Sequence, residues 1–233
     1  MHMERSHSGL VRGLGKLVYL NRYRGFESLP LRQKFAMDYL KIPHVKQNGD
    51  THCGVACLEM VYKYFAINDI TQDDIWQAKK SLRPDKTDFY MRTADMVDHL
   101  VENNFQVLYG QLLLDEVLCV RSISALLNAG IPIIACKQSD ADPKYGHFVI
   151  IVGIESGSYF YYLDPNKSSS LQKKSVKKFI KEWRESGEEV TGGEFIIVSK
   201  EAKTFPVKKI HLTSFQAPKL ESFTLATLDY RVK

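Results

Sequence analysis

The sequence predicts an α+β domain in which several helices come first and an antiparallel sheet follows. Apolar residues recur at helical spacing in the first half of the chain, whereas the second half carries short apolar runs bounded by turn signals. The clearest of these signals, Glu155-Ser156-Gly157-Ser158, separates two apolar runs as a hairpin loop does. Such segregation of helices and strands is typical of α+β folds.

Five helices are predicted within residues 41–200. The first carries an apolar stripe after the turn Asn48-Gly49-Asp50 and ends by Asn68. A capping-box pattern, Thr71-Gln72-Asp73-Asp74, starts the second. The other three are expected over Thr93–Asn103, over Ser122–Ala129 before Gly130, and around Val176–Trp183.

Five strands are predicted: Phe105–Tyr109, Ile131–Lys137, Phe148–Ile154, Tyr159–Leu163 and Phe195–Val198. Phe148–Ile154 is almost wholly apolar, which indicates burial on both faces. We expect Tyr159–Leu163 to return beside it after the hairpin, and Phe195–Val198 to close the sheet.

The charge distribution suggests basic extensions around a mildly acidic core. The net charge is +5, and residues 1–25 and 200–233 are the two basic segments. We therefore predict a basic N-terminal extension (1–40), a domain (41–200) and a basic C-terminal extension (201–233). The extensions fit solvated tails, or segments that contact an acidic partner or a membrane surface. A core without a basic face argues against nucleic acid as a partner.

Cysteine content and hydropathy bear on the compartment. Four cysteines in 233 residues are too few for a disulfide scaffold, so reduced thiols are expected. No apolar run is long enough for an integral membrane segment. The apolar stretch Leu10–Leu20 is interrupted by Arg12 and Lys16 and gives no clear signal peptide. The cytoplasm is the expected location, or another cell's cytosol if the chain is a secreted effector.

The residue types and their order predict a nucleophilic site. Cys53 falls at the first turn of a helix, where unpaired N–H groups and the helix dipole favour a thiolate. The side-chain amide of Gln47 could join the Cys53 N–H in holding an oxyanion. His147 opens the buried strand and Asp164 ends the strand that returns from the hairpin. Pairing should bring them side by side, so that the carboxylate orients the imidazole.

These residues resemble a known family. The run Gln47–Met60, the segment Gly146–Ile150 and the triplet Leu163-Asp164-Pro165 are similar to the C39-like peptidases. These are papain-fold cysteine peptidases, best known as leader-cleaving domains of bacteriocin exporters. The resemblance covers residues ~42–200. It implies Cys53 as nucleophile, His147 as general base, Asp164 as orienting residue and Gln47 as oxyanion-hole donor, with neither metal nor organic cofactor.

The resemblance has limits. The exporters continue into transmembrane helices and an ATPase, so this chain is expected to be a stand-alone peptidase domain. Their specificity for double-glycine leaders is not carried over. Gly192-Gly193 is most simply a turn before the last strand, with self-cleavage there as a minor alternative. Papain itself has Asn in the third catalytic role, so Asp164 favours the C39-like branch.

The expected function is a cysteine peptidase or amidase that cleaves a peptide or protein substrate through an acyl-thioester. An acyltransferase or transamidase on the same scaffold is one alternative, and an inactive papain-fold binding module is another. A zinc site using His44, His52, Cys53 and Cys57 is a third. Zinc sites usually need a second cysteine pair, and Cys119 and Cys136 are isolated in sequence, so no metal is expected.

Overall fold

The helices of this computed structural model follow the predicted pattern. It describes residues 39–81, 90–142, 144–186, 190–201, 206, 210–216 and 229–230, so the predicted N-terminal extension lies outside the described residues except for its last two. Within these ranges the helices are α1 (Cys53–Tyr64), α2 (Gln72–Ser81), α3 (Thr93–Glu102), α4 (Glu116–Asn128) and α5 (Val176–Arg184).

Local signals explain where two of these helices begin. The N–H of Thr71 donates to Oδ2 of Asp74 at 3.0 Å, and the N–H of Asp74 donates to Oγ1 of Thr71 at 3.3 Å. The predicted capping box is therefore confirmed. The start of α4 was predicted at Ser122 but lies at Glu116, because Asp115 caps the helix before its apolar stripe begins.

The strands form one sheet among the described residues. They are β1 (Gln106–Leu112), β2 (Ile133–Gln138), β3 (Gly146–Glu155), β4 (Tyr159–Leu163), β5 (Gln172–Ser175), β6 (Glu194–Ser199), β7 (His211–Gln216) and β8 (Asp229–Tyr230). Their order is β5-β4-β3-β2-β6-β1-β7-β8. Neighbours run antiparallel, except that β7 and β8 are parallel.

Helices cover both faces of this sheet. Helices α1, α2 and α3 pack on the face that presents Ile134, Phe148 and Ile150. Helices α4 and α5 pack on the other face, against Ile133 and Val149. The predicted packing of N-terminal helices on an antiparallel sheet is confirmed, and β3 is buried on both faces as its apolar run indicated.

The sheet differs from the prediction at four strands, namely β6, which lies elsewhere in the order, and β5, β7 and β8, which were not predicted. Phe195–Val198 does not close the sheet, because β6 lies between β2 and β1. Its alternate residues pack into the apolar layers on both faces, which suits an interior strand. Strand β5 was not predicted, since Gln172–Ser175 is polar and does not alternate. Strand β7, within the predicted C-terminal extension, pairs with β1.

The hairpin between β3 and β4 has the geometry that its sequence predicts. Ser156 and Gly157 have φ values of 48° and 67°, in the left-handed region. The N–H of Ser158 donates to the carbonyl oxygen of Glu155 at 2.8 Å. Two successive positive φ values match the right-handed twist of the flanking strands. This tight turn fixes β4 beside β3.

No helix among the described residues is both long and apolar enough to span a bilayer.

We predict that Asp115→Ala lowers the free energy of unfolding by about 1 kcal/mol, because an N-cap residue supplies bonds that alanine cannot. Oδ1 of Asp115 accepts from the N–H groups of Val117 and Leu118, both at 3.0 Å. Urea denaturation measures the change, with Asp115→Asn as a control that keeps an acceptor. If both variants lose equal stability, the carboxylate's charge rather than its acceptor geometry stabilises the helix.

Candidate active site

Cys53 is the first residue of α1. The N–H groups in the first turn of a helix lack partners within the helix and carry a partial positive charge. The side chain of Cys53 is partly exposed, whereas Cys57, Cys119 and Cys136 are buried, and all four are free thiols. Burial raises the pKa of Cys119 to about 12 and that of Cys57 and Cys136 well above the ordinary range. Cys53 is therefore the thiol that a dissolved reagent can reach.

The β3–β4 hairpin brings His147 and Asp164 into contact. Because Ile150 pairs with Leu163, Asp164 lies opposite Val149 and His147 is its diagonal neighbour. Nε2 of His147 lies 2.7 Å from Oδ1 of Asp164. A hydrogen bond of this kind fixes which ring nitrogen carries the proton and leaves Nδ1 free for a second partner.

The surroundings favour charge on both members of this pair. Burial opposes the imidazolium, but hydrogen bonds to Asp164 and Cys53, together with their charges, raise the pKa of His147 from 6.5 to about 9. Burial also opposes the Asp164 carboxylate, but the hydrogen bond and charge of His147, the N–H of Asn166 and the charge of Lys137 lower its pKa. His147 is therefore hydrogen-bonded to Asp164 and lies near enough to Cys53 for that side chain to raise the pKa of the imidazole.

The turn after β4 is fastened to the loop before α1. Nε2 of His44 lies 3.0 Å from the carbonyl oxygen of Asp164, and the N–H of Gln47 donates to the carbonyl oxygen of Pro165 at 2.9 Å. These bonds tie the segment that leads into Cys53 to the residue that orients His147. The sequence indicates His44 only as one of four candidate zinc ligands. No sequence motif links it to Asp164, which lies 120 residues further along the chain.

The side chain of Gln47 is occupied within its own loop. Its Nε2 donates to the carbonyl oxygen of Gly49 at 2.7 Å and to that of Asp50 at 3.2 Å. Its Oε1 is buried and has no partner among the described residues. Gln47 is thus placed on the loop that enters α1, but its amide hydrogens point at backbone carbonyls.

A buried lysine lies directly across from His147 in the sheet. Lys137 pairs with His147 between β2 and β3, and its side chain is only 1% exposed. Its Nζ lies 3.2 Å from Oδ1 of Asp140 and 3.5 Å from Oε2 of Glu182. These contacts anchor the loop that leads into His147. The sequence assigned Lys137 only to a strand, because nothing in the pattern indicates a buried cation.

The described residues contain no group of three or more histidine, cysteine, aspartate or glutamate side chains arranged to hold a metal ion. Cys57, one of the four residues considered for zinc, has no exposed surface and packs among apolar side chains. His52, another of the four, stacks on Trp76 with ring centroids 3.8 Å apart. The four residues are therefore not brought together as a ligand set.

Comparison with known proteins identifies the family. The model of the Peptidase_C39 like family matches residues 39–191. No curated protein matches the chain.

Two solved structures are similar at low identity. A double glycine motif protease from an AMS/PCAT transporter, in complex with the leader peptide, is 17% identical with a TM-score of 0.42. The alignment covers 69% of this chain and 92% of that one. UfSP from C. elegans is 13% identical with a TM-score of 0.40, over 73% of this chain and 35% of that one.

The family match alone spans more than half of the 233 residues, and it includes Cys53, His147 and Asp164. It agrees with the α+β architecture, in which a cysteine begins a helix against a sheet. The chain therefore belongs to the Peptidase_C39 like family and has the papain-like fold class that its sequence predicted.

Proposed function

We propose that this chain is a cysteine peptidase or amidase, in which Cys53 is the nucleophile, His147 the general base and Asp164 the orienting carboxylate. The observation that carries the proposal is the 2.7 Å contact between Nε2 of His147 and Oδ1 of Asp164, beside a Cys53 side chain that lies near enough to raise the pKa of His147. Membership of a peptidase family supports a peptide or protein as the substrate.

The acylation step uses the proton that His147 takes from Cys53. The thiolate attacks the carbonyl carbon of the scissile amide, and the C=O electron pair moves onto oxygen. When the oxyanion collapses, the C–N bond breaks and the imidazolium gives its proton to the leaving amine. The product is an acyl-thioester on Cys53 and a neutral imidazole.

The deacylation step returns the enzyme to its starting state. His147 takes a proton from a water molecule as the oxygen attacks the thioester carbon. The C–S bond then breaks, the acid is released, and the proton on His147 restores the thiolate–imidazolium pair. Asp164 stays ionised throughout and stabilises the imidazolium.

Gln47 is proposed as an oxyanion donor beside the backbone N–H of Cys53. Its amide hydrogens are now taken by the carbonyl oxygens of Gly49 and Asp50. The longer of these bonds, 3.2 Å to Asp50, is the one that gives way when substrate oxygen becomes negative. A charge-assisted bond to an oxyanion is stronger than the neutral bond that it replaces.

Alkylation of the native protein with a low dose of iodoacetamide tests the proposal. We expect Cys53 alone to react, and to keep its rate from about pH 8 down to about pH 5.5, because the thiolate paired with an imidazolium persists at acidic pH. Mass spectrometry of the digested protein locates the adduct. The three buried cysteines act as internal controls, since their thiols are shielded.

The matched variant is His147→Ala, checked for folding by its melting temperature. It should lose the reactivity of Cys53 at acidic pH and keep that of an ordinary thiol above about pH 8. If the wild-type Cys53 itself shows only this ordinary pH dependence, the thiolate–imidazolium pair does not form, and the proposal is wrong.

A further inference from the structure

An open groove lies along α4 and α5, on the sheet face opposite to the one that α1 covers. It consists of two adjoining depressions of about 490 Å³ each. Glu116, Ser175 and Lys177 line both depressions, so the two are continuous. The groove is large enough for several side chains of a bound peptide.

Both ends of α5 are fastened to the segments beside it. At its start the N–H of Val176 donates to the carbonyl oxygen of Ser158, in the β3–β4 hairpin, at 2.9 Å. At its end Nη2 of Arg184 donates to the carbonyl oxygen of Leu114, just before α4. The walls of the groove are therefore held in place without a ligand.

The side of the groove that α4 forms is apolar. Val117 and Val120 line it, and Val117, which is 58% exposed, is the most exposed large apolar side chain among the described residues. Ile180 of α5 lines the adjoining depression and is itself buried. A ligand that covers Val117 therefore gains apolar contact as well as charge.

The side that α5 forms is basic. Lys177, Lys178 and Lys181 line the groove and are exposed, and none of the ion pairs among the described residues involves them. Glu182, the acid of this helix, lies one turn after Lys178, but its Oε2 is 2.6 Å from Nζ of Lys174 instead. The three lysines are thus available to an anionic partner.

The same lysines are unfavourable for the helix that carries them. Lys177 and Lys178 lie in the first turn of α5, which contains no acidic residue, and a positive charge there opposes the helix dipole. Lys177 and Lys181 are four residues apart, a spacing at which like charges repel. Local stability therefore does not explain these residues, whereas a negatively charged partner would relieve both repulsions.

The groove suits a peptide better than a membrane or a nucleic acid. Phe179 and Trp183 are buried in the core, so α5 turns its apolar face inward and has none to insert into a bilayer. The described residues that line the groove include no aromatic side chain on which a base could stack, and they include Glu116 and Glu185. A peptide with carboxylates and an apolar side chain matches both sides of the groove.

We propose that the groove between α4 and α5 is a docking site for an acidic segment of the protein substrate, whose carboxylates bind the lysines of α5 and whose apolar side chain packs on Val117 and Val120. This inference rests on the proposed peptidase function. Because the groove lies on the sheet face away from α1, a segment bound there leaves Cys53 free. Docking raises the local concentration of the scissile bond, so it should lower KM and leave kcat unchanged.

Binding is measured by fluorescence anisotropy with the full chain carrying Cys53→Ala. One labelled, blocked peptide is rich in glutamate around a central leucine, and its neutral counterpart has glutamine at each glutamate. We expect the glutamate peptide to bind on the order of 10-fold more tightly, with a preference that shrinks as added salt screens the lysines. Equal binding of the two peptides, including no binding of either, overturns the inference.

The test variant is Lys177→Glu/Lys178→Glu, which should reduce this preference to within about twofold. It also places acids in the first turn of α5, so its melting temperature should equal or exceed that of the parent. Lys181→Gln, which leaves the first turn unchanged, should reduce the preference in part. A preference that survives in both variants contradicts the assignment to these lysines.

Lys80→Glu/Lys200→Glu is the matched control. Both lysines are exposed and neither lines the groove, and the change in net charge is the same as in the test variant. The control should keep the preference for the glutamate peptide. An equal loss in the control would show that the peptide responds to the net charge of the chain and not to the groove.

The kinetic test appends the same two sequences, through a flexible linker, to a peptide that the wild type cleaves. The glutamate extension should lower KM on the order of 10-fold relative to the glutamine extension, with kcat unchanged. Equal KM values overturn the assignment of the docked segment to the substrate. Tighter binding of phosphatidylserine vesicles or of an oligothymidylate strand, lost in Lys177→Glu/Lys178→Glu, overturns the choice of a peptide.

The two readouts separate this inference from the proposed function. A wild type that binds the glutamate peptide but cleaves no peptide contradicts the proposed function, and with it the assignment of the segment to a substrate. A wild type that cleaves peptides but does not prefer the glutamate peptide contradicts the docking site alone.

Discussion

Cys53→Ala is expected to abolish hydrolysis, with a loss in kcat on the order of 10⁶, because removing the nucleophile of a catalytic triad removes the covalent pathway entirely. The folded structure should be unaffected, since Cys53 begins a helix and is partly exposed rather than enclosed in the core. Release of fragments from a peptide that the wild type cleaves measures the loss, and the melting temperature measures folding.

Cys57→Ala is the matched control for this experiment. Cys57 lies one turn further along α1, has no exposed surface and packs in the apolar cluster between α1 and the sheet. Its replacement should leave kcat within about twofold and cost about 1 kcal/mol of stability through the small cavity that it opens. Full turnover by Cys53→Ala, or an equal loss in both variants, would show that Cys53 is not the nucleophile.

The elements that carry the site could be predicted because each is encoded locally. The apolar stripe that includes Cys57 and Met60 predicts α1, and Cys53 follows from it as the first turn. The loop Glu155–Ser158 predicts the hairpin, and the hairpin alone implies that His147 and Asp164 are neighbours. Short-range signals of this kind need no knowledge of the tertiary structure.

The parts that escaped prediction depend on contacts between distant segments. The bond from His44 to the carbonyl of Asp164 and the burial of Lys137 opposite His147 have no signature in the surrounding residues. The sequence predicts β6 as the strand that closes the sheet. In the structure β6 pairs with β1, a strand that precedes α4 in the chain, and therefore lies inside the sheet.

The side-chain amide of Gln47 shows a different limit of prediction from sequence, because its hydrogens are already bonded within the loop. The spacing of six residues before Cys53 correctly places Gln47 on the loop that enters α1. It cannot reveal that the carbonyl oxygens of Gly49 and Asp50 compete for the same N–H groups. The direction of these carbonyl oxygens is set by the backbone conformation of the turn, and several different sequences adopt that conformation.

Asp164→Asn should reduce kcat/KM at neutral pH by on the order of 10- to 100-fold, whereas Asp164→Ala should reduce it by on the order of 10³. The amide oxygen of asparagine can still accept from Nε2 of His147, as Oδ1 of the carboxylate does at 2.7 Å, so the tautomer is kept. Alanine removes both the charge and the orientation. Steady-state kinetics of the three proteins separate these two contributions.

The pH dependence gives a second readout for Asp164→Asn, because Asp164 helps to raise the pKa of His147 to about 9. Above that pH the imidazolium loses the proton that the leaving amine requires, so kcat/KM of the wild type should fall on the alkaline side near pH 9. Without the carboxylate the pKa of His147 falls, and this alkaline limb moves to lower pH. An alkaline limb that stays in place in Asp164→Asn would assign it to another group.

The free energy of unfolding should also depend on the protonation of His147. The pKa of His147 is about 9 in the folded protein and 6.5 for an ordinary histidine, so folding favours the protonated ring. The stabilisation that the His147–Asp164 pair provides is therefore complete below about pH 6.5 and is lost as the pH rises through about 9. The difference in unfolding free energy between wild type and Asp164→Asn should be large at about pH 6 and small at about pH 10. If urea denaturation gives a constant difference, the charged pair does not exist in the folded state, and the orienting role of Asp164 is one of shape alone.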